Sequence, residues 1–208
     1  MNRTLKCSAI SLIIIIGVIV PLDIYIYFKS GEQIAGFKLF KCGIYFAAMI
    51  LHVVMYSGFK IIGQGYHNNL LRILSLCLIG YSTGYFGLRI IWTFFPASNT
   101  LDFWCMRQLH WSILEILFGY SLLKLGSTTE IGAIGIIVGV LNIGGGLNEL
   151  ALMLMMKYLK PFALFAAFID TALRMAIGIS GVILLFKVAM MERFKIKKAQ
   201  EVIPGMQV

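Results

Sequence analysis

Long apolar runs separated by short polar breaks make up almost the whole chain. Six runs, over residues 8–28, 40–59, 70–95, 109–125, 131–156 and 162–190, are each about the length of a bilayer crossing, which takes about 20 residues at about 1.5 Å per residue. They predict helices. Hydrocarbon offers open backbone groups no partner, and the runs are continuous rather than alternating, which excludes barrel strands. The third, fifth and sixth runs are long enough to tilt or to extend past the membrane. The breaks are short, so consecutive helices are expected to lie side by side and antiparallel. The expected fold is an all-α membrane protein, a six-transmembrane-helix bundle with both termini cytoplasmic. Residues 1–192 form its single domain, and 193–208 a short basic cytoplasmic tail.

The polar and small positions inside the runs fall in stripes. In the fifth run Gly132, Gly135, Gly139, Asn142, Gly146 and Glu149 follow at alternating steps of three and four, which keeps them on one helix face. In the third, Gly80, Gly84 and Gly87 form another such face, with Ser82, Tyr85 and Arg89 on an adjoining polar one. The fourth shows Gln108, Ser112, Glu115 and Gly119, the sixth Asp170, Arg174, Gly178 and Gly181, and the second Lys41, Tyr45, Ala48 and His52. Such stripes are expected to face inward. Glycines among them let helices approach closely, so Gly80, Gly84, Gly87, Gly132, Gly135, Gly139 and Gly146 are expected packing positions. The run Gly144, Gly145, Gly146 is expected to loosen the fifth helix just before Asn148 and Glu149.

Ionisable residues inside the runs are costly and call for a reason. Counted from the expected outer ends, Asp23, Arg89, Glu115 and Glu149 lie roughly 7–12 Å deep, and Asp170 and Arg174 near the midplane. Arg89 is expected to pair with Glu115, and Asp170 with Arg174 one turn away. Asp23 and Glu149 are left without an obvious cation. Four acids against two arginines leave negative charge in a low-dielectric place, which asks for a cation, a proton or a water-filled cavity. The candidate ligand-binding set is therefore Asp23, Arg89, Glu115, Asn142, Glu149, Asp170 and Arg174. The plainer reading of the same residues is buried ion pairs that fix helix register.

Composition agrees with a membrane setting. The chain of 208 residues is 60% hydrophobic and 13% charged, against about a quarter charged for soluble domains. Its net charge of +9 does not imply nucleic acid. The basic residues sit at span ends and in a tail run of Arg193, Lys195, Lys197 and Lys198, with no basic groove interleaved with aromatics. Termini inside puts Arg3, Lys6, Lys60, Arg72, Lys124, Lys187 and the tail on the cytoplasmic side, and Lys29, Lys38, Lys41, Arg107, Lys157 and Lys160 outside. The plasma membrane is the expected location. Arg3 and Lys6 before an apolar run imitate a signal peptide, but no small-residue cleavage site follows, so a retained first helix is expected.

Catalytic and metal motifs are missing or out of context. No CxxC joins Cys7, Cys42, Cys77 and Cys105; free thiols are expected, with a Cys42–Cys105 bridge as the alternative. His52, His67 and His110 lie at different depths, which argues against haem, and His52 is expected to be a hydrogen-bonded core residue. Gly80 to Gly84 reads GxSxG, but inside a helix rather than at a strand-to-helix turn, so Ser82 is not an expected nucleophile. Gly65-Tyr66-His67 followed by Cys77 resembles membrane peptidases of quorum-sensing propeptides, yet the ten-residue gap turns the two side chains by about 80° on a helix. Neither metal nor cofactor is expected, and a non-enzyme is favoured.

Three functions remain. The first is a protein that binds a small solute or ion in a polar cavity of the outer half, as a transport component. In length, helix count and termini it resembles the substrate-binding membrane subunits of vitamin importers, a likeness of shape alone. The second is a structural or assembly subunit, holding partner membrane subunits or a second copy through its glycine faces. The third is a membrane-embedded lipid-modifying enzyme using Glu115, Glu149 or Asp170. Besides any such partner, the chain is expected to meet the lipid bilayer and no nucleic acid.

Overall fold

A computed structural model describes residues 2–28, 35–95, 100–158 and 163–191. The basic tail, Lys29 and Lys160 lie outside the described residues, as do the side chains of Cys105, Arg107 and Lys157. The described residues form helices α1 (Arg3–Ile14), α2 (Val20–Phe28), α3 (Ala35–Gly65), α4 (Asn69–Phe94), α5 (Thr100–Thr128), α6 (Ala133–Tyr158) and α7 (Ala163–Met190), with a π segment, Ile15–Ile19, joining α1 to α2.

Five of the spans are long and apolar enough to cross a membrane: Arg3–Ile26, Gly36–Gly65, Asn69–Phe94, Ala133–Leu154 and Ile169–Met190. The fourth expected run, 109–125, falls within α5, a helix of 29 residues. Gln108, His110, Ser112, Glu115, Ser121 and Lys124 make it less apolar than the others. The surface is consistent with lipid. Ile13, Phe46, Ile73, Ile91, Val140 and Ile179, from five different spans, are each about half exposed, while serines and carboxylates lie inside. That inverts the usual soluble arrangement, and an exposed apolar belt of this extent marks a membrane contact.

The helices form a closed ring in the order α1, α3, α4, α5, α6, α7 and back to α1. The joints differ. α5 and α6 pack along their length, as do α3 and α4, whereas α4 and α5 touch only lightly. Glycine explains the tightest joint. A Cβ on Gly139 would stand 2.5 Å from the Leu123 amide nitrogen, and one on Gly119 2.6 Å from the Gly139 carbonyl. Gly126 and Gly135 meet one turn further on, and Gly146 faces Ile116 and the Ser112 carbonyl. Gly135, Gly139 and Gly146 thus lie in the α5–α6 seam, where missing side chains let backbones touch.

The other glycines differ from that seam, and the expectations for Gly132 and for the run Gly144 to Gly146 are corrected. Gly132 precedes α6 in a turn with φ of 58°, a left-handed conformation open to glycine at little cost. Gly80, Gly84 and Gly87 would meet nothing within 4 Å if given a Cβ, so among the described residues no helix packs on that face. The run Gly144 to Gly146 does not break α6, because Gly145 is held against Ile177 and Gly146 against α5. The irregular helix is instead the first. There Val20 N–H bonds to the Ile15 carbonyl, a five-residue step, one residue before Pro21. Proline has no N–H to donate, and widening the preceding turn accommodates its ring.

One end of the bundle is closed. The Tyr66 hydroxyl, in the α3–α4 turn, lies 3.1 Å from Glu130 Oε1 and 3.1 Å from Met191 Sδ. Lys187 Nζ donates to the Ile131 carbonyl at 2.9 Å, and Asn68 caps α4 by accepting from Leu71 N–H at 2.9 Å. Beneath them Leu5, Ile62, Leu71, Leu122, Leu125, Leu184 and Val188 make a tight apolar core. Ser8 ties α1 to α3, its hydroxyl 2.7 Å from the Val54 carbonyl, and Gly58 provides the room, since a Cβ there would sit 2.5 Å from Ser8 Oγ.

Candidate functional site

Toward the other end the ring encloses a cavity of about 410 Å3. Every long helix and the π segment contribute to its lining. Apolar walls come from Ile15, Ile19, Met55, Phe59, Phe118 and Ile177, and aromatic ones from Tyr45, Tyr56, Tyr81, Tyr85, Phe86 and Trp111. Asp23, Arg89, Glu115, Asn142, Glu149, Asp170 and Arg174 all line this one cavity.

The stripes explain the convergence. On α5, Gln108, Trp111, Glu115 and Phe118 follow at steps of three and four and turn one face inward. The adjoining side of the same helix, at Gly119 and Gly126, is pressed into α6. Once that seam is fixed, Glu115 and Glu149 can point only toward the middle. Both are buried, with side-chain exposures of 6% and 5%.

The charges fall into two groups. In the larger, Arg174 of α7 donates from Nη1 to Glu115 Oε1 at 2.9 Å, from Nη2 to Glu149 Oε1, and approaches Asp170 Oδ2 from Nε at 3.6 Å. One planar guanidinium thereby holds carboxylates of α5, α6 and α7, a use of its fork of donors that an ammonium could not reproduce. Ser112 Oγ lies 3.4 Å from Glu149 Oε2, and Asn148 Nδ2 donates to Asp170 Oδ1 at 3.3 Å. Asn142 folds back on its own helix, donating to the Val138 carbonyl at 2.7 Å.

The smaller group joins α2 to α4. Arg89 Nη1 reaches Asp23 Oδ1 at 3.0 Å and Oδ2 at 3.3 Å. The Arg89 guanidinium also lies over the Tyr45 and Tyr85 rings, 4.7 and 5.5 Å from their centroids. The expected partners are therefore corrected. Arg89 pairs with Asp23 rather than Glu115, because α4 and α5 barely touch. Glu149 shares Arg174 with Glu115, and the expected Asp170–Arg174 contact is the longest of the three.

Among the described residues, Ser82 Oγ, Gln108 Oε1 and Glu115 Oε2 in the lining are buried without a hydrogen-bond partner. Other helix hydroxyls are satisfied by the carbonyl four residues back, as Ser75 is by Leu71 and Ser180 by Ala176, each at 2.7 Å. The Ser82 position lies mid-helix, with no strand-to-helix turn. His52 donates from Nδ1 to the Ala48 carbonyl at 2.8 Å, with its ring against Phe86. No group of three His, Cys, Asp or Glu among the described residues is placed to hold a metal ion. Cys7, Cys42 and Cys77 are free, and Cys77 is exposed on α4 while His67 lies in the α3–α4 turn. Sequence reading missed two features of the cavity wall, the π segment and the aromatic clamp on Arg89; Pro21 within an apolar run was the signal for the first.

No family model matches the chain, and no curated protein or solved structure is significantly similar to it.

Proposed function

We propose that the chain is an integral membrane protein of six crossings that binds a small solute in the cavity between its helices, as the binding component of a transport system. Both termini lie on the cytoplasmic side of the plasma membrane in this reading. The observation that carries it is the convergence of Asp23, Arg89, Glu115, Glu149, Asp170 and Arg174, from five spans, on one cavity of about 410 Å3. A volume of this order is typical of small-molecule sites, as is a largely apolar wall with a few convergent polar groups. α5 serves as the sixth crossing: Ile113, Leu117 and Tyr120 face outward on it while its polar stripe faces in. Placing Arg3, Lys6, Lys60, Arg72, Lys124 and Lys187 in the cytoplasm puts the closed end of the ring inside and the cavity in the outer half. Uptake of a panel of labelled solutes by cells producing the chain tests the reading. It should fall in Glu149→Gln and Arg89→Ala, and unchanged uptake in both variants would count against it.

A second reading, an assembly subunit, is favoured by one observation. Gly80, Gly84 and Gly87 leave an open face on α4 that no helix among the described residues fills. Gly84→Leu should disrupt a stoichiometric complex, seen by co-purification, if that face holds another membrane helix.

A further inference from the structure

Resting on the reading of the cavity as a binding site, a narrower statement about its occupant follows. We infer that the cavity takes an organic cation: a protonated amine carried on a compact apolar or aromatic body.

Charge is the first reason. Four acidic side chains and two guanidinium groups line the cavity, and no lysine does, so its wall holds a formal excess of two acids in a chain of net charge +9. The excess is local. Asp23 and Arg89 balance each other, whereas Arg174 alone faces Glu115, Glu149 and Asp170. An anionic solute would find both guanidinium groups already engaged and would meet the surplus charge of its own sign. A cation relieves that surplus in a place where low dielectric makes it costly.

The unpartnered atoms are the second reason, and they are independent of the count. Ser82, Gln108 and Glu115 are 1%, 6% and 5% exposed, and Ser82 Oγ, Gln108 Oε1 and Glu115 Oε2 lack partners. Two of the three can only accept a hydrogen bond, and the hydroxyl can. Buried acceptors left without donors ask for a donor from outside the chain. An ammonium supplies donors and charge together.

The walls describe the rest of the occupant. Tyr81 and Trp111, with ring centroids 5.6 Å apart, stand with Phe118 beside the acceptor stripe of α5. Aromatic faces attract cations and accept flat apolar bodies. A bare metal ion is a poorer fit, because the described acids are not grouped to coordinate one.

The test uses the full chain in lipid nanodiscs of zwitterionic lipid, with empty discs subtracting partition into the bilayer. Three probes of matched shape are titrated calorimetrically at neutral pH: 2-phenylethylamine, 2-phenylethanol and 3-phenylpropanoate. The amine should bind most tightly, and its affinity should fall about tenfold or more in Glu115→Gln and in Glu149→Gln. Either substitution leaves Arg174 two carboxylates, so the fold should survive; if a variant fails to fold, the ranking of probes on the native chain decides. Ala48→Phe, which projects into the cavity, should abolish binding. If the alcohol or the carboxylate binds as well as the amine and Ala48→Phe still abolishes it, the cation assignment is overturned while the binding cavity stands. Amine binding indifferent to both glutamine variants also overturns the assignment. If no probe binds the native chain, the cavity reading falls with it.

Discussion

Arg174 Nη1 lies 2.9 Å from Glu115 Oε1, an ion pair that fastens α7 to α5 in the wall of the cavity. The same guanidinium holds Glu149 on α6. Removing it leaves three carboxylates facing one another without a cation. Arg174→Gln should therefore lower stability by about 3 kcal/mol or more, as breaking a buried pair usually does. Arg174→Lys should rescue only part of this, since one ammonium cannot address three carboxylates from separate nitrogens. Thermal unfolding of the purified variants in detergent measures both.

The Asp23–Arg89 pair should matter less to stability. Its side chains are 47% and 30% exposed, and exposed pairs contribute at most about 1 kcal/mol. A double-mutant cycle with Asp23→Asn and Arg89→Gln should return a coupling of this size. A coupling as large as that of the Arg174 cluster would mean that the second group is as deeply sequestered as the first.

Two glycines of equal appearance in the sequence should behave in opposite ways. Gly139→Ala drives a methyl against the backbone of Leu123, which cannot yield, and should cost about 2 kcal/mol or more. Gly84→Ala meets open space and should be neutral, or stabilising by up to about 1 kcal/mol through lower chain entropy in the unfolded state. Melting temperatures of the two variants side by side decide the matter.

Ser82 separates stability from binding. Its hydroxyl is buried and unpaired, so Ser82→Ala should leave the empty protein as stable or more so, by about 1 kcal/mol. The same change should weaken binding of any occupant that donates to that oxygen. A variant that loses stability would show that the hydroxyl is satisfied in the native protein after all.

Much of this arrangement was legible in the sequence because a helix face is written as a spacing. Gly135, Gly139 and Gly146 had to lie on one side of α6, and they lie in one seam. Asp23, Arg89, Glu115 and Glu149 could be placed at one depth with Asp170 and Arg174 below them, and all six line one cavity with Asn142. What depends on the neighbour was not legible. Spacing could not say that α4 leans on α3 rather than α5, and so Arg89 was assigned Glu115 instead of Asp23. Nor could it say that Gly145 and Gly146 are clamped on two sides, with α6 unbroken where a glycine run suggested a break. Gly80, Gly84 and Gly87 show the limit most plainly. Their spacing marks a face and is silent about whether anything covers it.

The central claim is that water and solute reach the polar lining between the helices. Single-cysteine labelling tests it most directly, with Cys7, Cys42, Cys77 and Cys105 replaced and the chain held in sealed vesicles. Ser82→Cys lines the cavity, whereas Ser121→Cys, equally buried, sits away from it beside Asn68. A membrane-impermeant cationic thiosulfonate should modify position 82 from one side of the membrane only and leave position 121 untouched. Equal inertness of the two positions would contradict the account, because the polar lining would then be sealed packing and not a site.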